Sequence, residues 1–154
     1  MELSFIRHAH LAVLATIENL SASDLEFRPT PKSRSAAELL VHMYSAQAEL
    51  AQALQPSSEL PVLRAHGVSQ IREYIQDCHE FVVSNIERPE VSGIPIIPSG
   101  FGTRSALMAD IKELIVTEQF HHRGQLFTYL EMMGKKLPDI YAYRAGAPDQ
   151  LQRR

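Results

Sequence analysis

Apolar residues recur every three or four positions in four separate segments of the chain. On a helix this spacing places them on one face, whereas a half-buried strand would alternate with a period of two. The segments cover about residues 3–20, 35–54, 69–87 and 105–133, with Thr103 or Ser105 as the cap of the last. No stretch of any length alternates like a strand. The pattern predicts an all-α protein with four amphipathic helices.

Capping signals mark where two of these helices begin and end. Ser35 and Glu38 stand three residues apart, the spacing of a capping box at a helix N-terminus. Gly134 follows the last helix, where a residue with left-handed backbone geometry commonly ends it. The connectors between the helices are longer than minimal turns, so we predict a four-helix bundle with long connectors that allow one crossover.

Two further segments lie outside the predicted helices. Residues 88–102 are rich in proline and glycine, yet residues 91–101 within them are also aliphatic. We expect this segment to pack over one end of the bundle or against a partner subunit. The tail, residues 135–154, is predicted to be non-helical, and its residues 140–143 should fold back onto the bundle. A chain of 154 residues is expected to form a single domain, residues 1–154.

Composition excludes several classes of protein. With 45% hydrophobic and 21% charged residues, the chain resembles an ordinary soluble domain. A net charge of −3 argues against a nucleic-acid partner. The single cysteine, Cys78, cannot form an internal disulfide and suits a reducing compartment. The N-terminus lacks a basic signal-peptide start, and no apolar run is long enough to span a membrane. We therefore expect a cytoplasmic protein without a membrane partner.

A candidate metal site lies in the last helix. Glu118 and His122 are four residues apart, which places them about 40° apart on one helix face. Two coordinating side chains with this spacing can bind one ion, as the histidines of the H-E-x-x-H helix do. His42, on the apolar face of the second helix, is the candidate third ligand. Two imidazoles and one carboxylate would leave a coordination position open, as catalytic metal sites do.

Burial supports this interpretation. Glu118, His122 and Gln125 interrupt an apolar, core-facing stripe, and burying such groups unpaired is expensive. A metal ion would satisfy them. A single histidine on an apolar face, such as His42, is more often a core residue than a ligand. The Glu118 and His122 pair makes ligation the favoured interpretation.

Four neighbours of this site are candidates for supporting roles. Gln125, one turn after His122, can orient a ligand or form a hydrogen bond between helices. His121 lies about 100° around the helix from His122 and should contact a neighbouring helix or subunit. Arg123 should meet an anionic substrate group or, as we prefer, a carboxylate on a neighbouring helix. Tyr44 could line a pocket, although a buried tyrosine with a satisfied hydroxyl is the more common case. No catalytic side chain is assigned, because a metal-bound water or thiol would do the chemistry.

Three other residues are placed outside the site. His8 and His10, two positions apart, point to different sides of the first helix and are predicted to be surface or interface residues. Cys78 lies on the buried stripe of the third helix and is predicted to be a small core residue.

Three motifs resemble those of the DinB-like (DNA-damage-inducible, YfiT-type) superfamily of metal-binding four-helix bundles. They are Ser35-Ala-Ala-Glu-Leu-Leu-Val-His42, His121-His-Arg-Gly-Gln125-Leu and Met132-Met-Gly-Lys-Lys-Leu-Pro138. The resemblance implies that His42 and His122 bind a metal, with Glu118 where most members have a histidine. Branches of the mycothiol-dependent maleylpyruvate isomerase type are similar in having Glu-x-x-x-His.

The resemblance also implies a function. One divalent ion (zinc, nickel, iron or manganese) would serve an enzyme acting on a small molecule, with a low-molecular-weight thiol as a further cofactor. Thiol transfer or isomerisation is the first expectation and hydrolysis the second, and the mixed ligand set suits iron or manganese. The family resemblance implies a homodimer. Two alternatives stay open: a homodimeric binding or structural bundle with a vestigial metal site, and a non-haem iron oxygenase, which ranks last.

Overall fold

The computed structural model describes residues 3–90, 95–97, 104–105 and 108–139. These residues form four long helices, one short helix and one pair of short strands. The elements are α1 (Leu3–Ile17), α2 (Ala22–Leu25), α3 (Ala36–Gln52), α4 (Val68–Glu87), β1 (Ile96–Ile97), β2 (Arg104–Ser105) and α5 (Met108–Met132). The predicted all-α fold is confirmed, because four long helices make up most of the described chain.

The pair of strands is a feature that the sequence did not predict. β1 and β2 are antiparallel, with Ile96 opposite Ser105 and Ile97 opposite Arg104. Ser105 therefore does not cap the last helix, and α5 begins at Met108 instead. The prediction was wrong here because pairing with β1 holds Ser105 in extended backbone geometry. Thr103, the other predicted cap, lies outside the described residues.

The predicted helix signals at Ser35 and Gly134 have the expected geometry. The Ser35 side chain accepts the backbone N–H of Glu38, and the Glu38 side chain accepts the backbone N–H of Ser35. Gly134 has a φ of +69°, and the N–H of Lys135 donates to the carbonyl of Leu130 over 2.8 Å, closing the end of α5. A second capping box, at Ser21, begins the short helix α2.

The helices pack around α3. It contacts both α4 and α5 along much of its length, while α1 lies more lightly against α4 and α5. Two apolar clusters fill successive parts of the bundle. Their large, fully buried members include Leu39, Leu40, Met43, Ile71 and Ile75 in one cluster, and Leu50, Leu54, Ile111 and Ile115 in the other. On α5, residues 118–125 fall between the positions that belong to these clusters.

Other sequence predictions have mixed outcomes. Cys78 is buried, as predicted. Of residues 91–101 only residues 95–97 are described, and residues 140–143 lie outside the described part of the chain. Within the described residues, no helix combines the length and the apolar character needed to cross a membrane.

His10 is a buried residue, which corrects the prediction that it lies at a surface or interface. Its exposed fraction is only 3%, and its ring stacks on that of His79 with centroids 3.8 Å apart and planes 7° apart. His10 Nδ1 lies 2.7 Å from the Tyr44 hydroxyl, and Nε2 lies 2.9 Å from Gln76 Oε1. Because an amide oxygen only accepts, Nε2 carries the proton and the Tyr44 hydroxyl donates to Nδ1. The neutral ring therefore joins α1 to α3 and α4.

Acid should weaken the fold through this stacked pair. Burial lowers the pKa of His10 to about 4, and burial together with the neighbouring His10 and Arg7 lowers the pKa of His79 to about 3. Below about pH 6.5, where an unfolded histidine titrates, the unfolded chain binds protons that the folded chain does not. As the pH falls from roughly 6 to 4, the unfolding equilibrium constant should therefore rise by up to about tenfold per pH unit for each histidine. Urea unfolding followed by circular dichroism measures this slope.

The variant His79→Phe isolates the contribution of one ring. It keeps a flat ring against His10 and removes one titrating group. The slope of the unfolding free energy against pH should therefore correspond to about one proton fewer taken up on unfolding. The control is His66→Phe, which replaces an exposed histidine before α4 and leaves the stacked pair intact. An unchanged slope in His79→Phe would show that the acid sensitivity arises elsewhere.

Candidate metal centre

α3 and α5 run antiparallel, and three contacts fix their relative position. Residue numbers fall along one helix as they rise along the other. The contacts are Gln47 Nε2 to Gln119 Oε1 at 2.5 Å, the rings of His42 and His122 at 4.7 Å, and the Tyr129 hydroxyl to the Arg34 carbonyl at 3.1 Å. This register places the middle of α3 beside the middle of α5.

The register brings together the three predicted ligands. One ligand atom from each of His42, Glu118 and His122 lies within 4.8 Å of the other two, so the group could hold a metal ion. His122 Nε2 and Glu118 Oε2 are 3.1 Å apart, because residues four apart on a helix share one face. His122 is buried and the other two are partly buried. A carboxylate and two imidazoles therefore face one another at the edge of the core.

Gln125 decides how the His122 ring is protonated. Its amide oxygen lies 2.9 Å from His122 Nδ1, and its amide nitrogen lies 3.1 Å from His121 Nε2. The amide nitrogen donates to His121, so the amide oxygen accepts a proton from His122 Nδ1. His122 then presents Nε2 to Glu118. In the neutral ring, that nitrogen carries a lone pair.

A lone pair opposite a carboxylate oxygen at 3.1 Å is unfavourable unless a positive charge lies between them. Either a proton on Nε2 or a metal ion supplies that charge. Donors around a tetrahedral zinc ion are about 3.3 Å apart, given bonds of about 2.0 Å. Glu118 and His122 already have this separation. The donor set thus fits a divalent ion, with His42 as the third ligand.

His42 has the properties of a neutral ligand. Burial lowers its pKa below the ordinary value, and the positive charge of Arg34 and the neighbouring His122 lower it further, while Glu118 acts in the opposite direction. A lowered pKa keeps the imidazole lone pair available near neutral pH, and metal ligation requires that lone pair.

The other predicted site residues lie in three different places. His121 is exposed, with its ring 4.8 Å from that of His122, and contacts Gln125. Arg123 stacks on Phe120 and Phe127, with its guanidinium carbon 4.5 and 5.7 Å from their ring centres. No described carboxylate forms an ion pair with Arg123, contrary to the preferred prediction. Tyr44 is fully buried and directs its hydroxyl to His10.

A buried amide pair beside the site was missed in the sequence. Gln47 and Gln119 are 2% and 1% exposed, and Gln47 also donates to the carbonyl of Met43. Gln119 Nε2 has no hydrogen-bond partner among the described residues. Gln47 stands between two alanines in an apolar helix, which was a usable signal. Gln119 follows Glu118 directly, and nothing in the sequence set it apart.

Comparison with known proteins identifies the family. A model of the DinB family matches residues 3–152, which leaves only residues 1–2 and 153–154 outside the match. The chain belongs to the DinB family. The resemblance seen in the sequence motifs is thereby confirmed.

A solved structure shows the same fold in another DinB-like protein. The crystal structure of the DinB-like protein YjoA from Bacillus subtilis superposes with a TM-score of 0.61 at 20% identity, covering 88% of this chain and 96% of that one. At this identity the likeness shows the fold alone. No curated protein matches the chain. Membership of the DinB family therefore confirms the fold type and leaves the reaction to be argued from the site.

Nitrogen chemical shifts should reveal the state of the His122 ring in the metal-free protein. We expect a proton on Nδ1, because Gln125 accepts it. In Gln125→Leu that acceptor is lost, and the neutral ring should move its proton to Nε2, where Glu118 accepts it. Long-range proton–nitrogen correlation spectra distinguish the two forms. A wild-type ring protonated only on Nε2 would contradict the hydrogen bonding described above.

Proposed function

We propose that this DinB protein binds one divalent metal ion through His42, Glu118 and His122. The observation that carries the proposal is the convergence of three donor atoms within 4.8 Å, with a carboxylate set against an imidazole nitrogen. Gln125 supports it by holding the His122 ring with Nε2 toward Glu118. Such an arrangement inside a helical bundle is stable when a cation offsets the partly buried carboxylate.

We further propose that the site is catalytic and acts on a small molecule. Three protein ligands leave room for an exogenous one, which is the arrangement of catalytic rather than structural sites. A divalent ion bound there would lower the pKa of a thiol or water that it coordinates. Glu118 and His42 are partly exposed, so the site reaches the protein surface. Transfer or isomerisation involving a low-molecular-weight thiol is our first proposal, and hydrolysis is the second.

Each of the three ligand residues would have its own role at the site. His42 and His122 supply neutral donors, and Glu118 supplies the negative charge that offsets part of the ion's charge. The apolar residues of the two clusters limit water on the inner side of the site. Among the described residues, no further carboxylate, histidine or cysteine lies close enough to the three ligands to bind the same ion. An external thiol or water would therefore be the nucleophile.

Metal titration of the purified, metal-free protein tests the ligand set. We expect one ion per chain, measured by competition with a chromophoric chelator for zinc, nickel, iron and manganese. His42→Ala or His122→Ala should weaken binding by at least about 100-fold, because two ligands hold an ion far less tightly than three. His121→Ala, which removes the adjacent exposed imidazole, is the matched control and should change affinity only slightly.

Two outcomes of this titration are informative beyond the ligand set. Glu118→His should keep binding and shift the preference from iron or manganese toward zinc or nickel, since imidazole is the softer donor. If His121→Ala loses the metal while His122→Ala keeps it, the assigned helix face is wrong. A wild-type protein that binds no ion would leave the family fold without a working site and would support a binding or structural role.

We also propose that the protein is a homodimer. β1 carries Ile96 with 64% of its surface exposed, inside the aliphatic segment of residues 91–101. A second copy covering this strand would remove that apolar area from water. Light scattering should therefore return twice the chain mass at micromolar concentration. Ile96→Arg should shift the protein toward monomer, whereas Val62→Arg, at a 75% exposed position elsewhere, should not. A clean wild-type monomer would refute the proposal.

A further inference from the structure

The buried positions of α5 are apolar except at the centre of the helix. Among the described residues of α5 they are Ile111, Ile115, Gln119, His122, Leu126 and Leu130. His122 is a candidate ligand, which leaves Gln119 as a buried polar side chain that the proposed metal centre does not use. Gln119 directly follows Glu118 and lies about one turn before His122. Its partner across the helix interface is Gln47 on α3, which is also buried.

Gln47 presents a hydrogen-bond donor to α5 in a fixed direction. Its amide nitrogen Nε2 donates one hydrogen to the carbonyl of Met43, about one turn earlier on α3, over 2.8 Å. The other hydrogen goes to Gln119 Oε1 over 2.5 Å. Because both hydrogens of this nitrogen are used, the amide cannot turn away without losing a hydrogen bond in the core. α5 is therefore held at the level where Gln119 Oε1 meets this donor.

The apolar contacts around the pair define the level of α5 less sharply. Leu126 and Leu130 are four residues apart on α5, and Leu39 and Met43 have the same spacing on α3. Similar apolar contacts can form again after a shift of one turn, about 5.4 Å. A buried polar pair matches in one register only, as a single buried asparagine does in coiled coils. The candidate metal centre needs this accuracy, because its donor atoms lie within 4.8 Å of one another.

The same pair contributes less to stability than two apolar side chains would. Burial removes both amides from water, and the hydrogen bond between them offsets only part of that loss. The amide nitrogen of Gln119 has no hydrogen-bond partner among the described residues. Well-packed apolar residues of similar volume often replace buried polar groups with no loss of stability. Stability alone therefore does not account for these two glutamines.

We propose that the Gln47–Gln119 pair holds α3 and α5 at the level where the three candidate ligands meet, and that it lowers the stability of the fold in doing so. Gln47 and Gln119 are positioning residues, since they act through the helices and not on the ion. The inference rests on the proposed function for what is positioned, and it adds two residues that determine how well the ion is held. The positioning itself is measurable in the metal-free protein.

The double variant Gln47→Met/Gln119→Met tests both parts of the proposal. Methionine has the length and nearly the volume of glutamine without its hydrogen-bonding amide. The metal-free variant should unfold in urea with an equilibrium constant no larger than that of the wild type. The contact between the His42 and His122 rings, whose centroids are 4.7 Å apart, should weaken. Nuclear Overhauser effects between the protons of the two rings measure this contact.

Co(II) binding measures the consequence for the site. The dissociation constant of the double variant should rise at least about tenfold, as for other residues that orient metal ligands. The visible absorption bands of the bound Co(II) should also change in intensity, because they report its coordination geometry. Neither readout requires an assay of activity.

Each single variant should differ from the double variant. Gln47→Met or Gln119→Met leaves one amide buried without its partner, so the unfolding equilibrium constant should rise at least about fivefold. The four proteins form a double-mutant cycle, in which the second substitution should restore the stability that the first removed. The ring contact should stay weakened. A purely structural role predicts instead that the contact and the affinity follow the stability.

Asn85→Leu is the matched control. Asn85 is buried on α4, and its amide nitrogen also has no hydrogen-bond partner among the described residues. α4 carries none of the candidate ligands, so replacing this amide by an apolar side chain should leave the ring contact and the Co(II) affinity unchanged. Loss of the contact in Asn85→Leu would show that any buried amide has this effect, and would overturn the proposal.

The other outcomes separate this inference from the proposed function. A wild-type protein that binds no Co(II) refutes the metal site and leaves the ring contact as the test of positioning. A double variant that keeps the ring contact or the wild-type Co(II) affinity overturns the positioning role. A double variant that is less stable than the wild type, or that does not fold, overturns the inference that the pair lowers stability.

Discussion

The contact between Glu118 and His122 is the interaction on which the site depends. A carboxylate oxygen lies 3.1 Å from an imidazole nitrogen at the edge of an apolar bundle. Gln125 accepts the proton on Nδ1 of the ring, so in the neutral ring the lone pair on Nε2 faces Glu118. Water cannot fully solvate groups in this position, and a cation between them resolves the conflict. The metal proposal follows from this local electrostatic requirement.

The antiparallel packing of α3 on α5 supplies the third ligand, because it places His42 beside the Glu118–His122 pair. The Gln47–Gln119 amide pair and the Tyr129–Arg34 hydrogen bond lie on either side of the His42–His122 contact. Sliding α3 by one helical turn would break both hydrogen bonds and leave buried amides unpaired. Buried polar contacts of this kind stabilise one register over its neighbours. His42 is held beside His122 because the flanking contacts exclude other alignments.

Polar groups in the bundle serve two separate purposes. The stacked His10 and His79 join α1 to α4 as neutral rings, and Tyr44 links them to α3. These groups concern the stability of the fold, while His42, Glu118 and His122 face a different part of the interior. Core histidines and candidate ligands look alike in the sequence, and only their surroundings separate them.

The sequence by itself determined the helices, the caps at Ser35 and Gly134, the family, and the pairing of Glu118 with His122. These features are local, since they depend on residues within one or two helical turns and on periodicity. The ligand role proposed for His42 also came from the sequence, through a family motif. The tertiary structure alone decided the burial of His10, the Gln47–Gln119 pair and the strand at Ser105. Each depends on a contact between residues distant in the chain, and helical periodicity carries no information about such contacts.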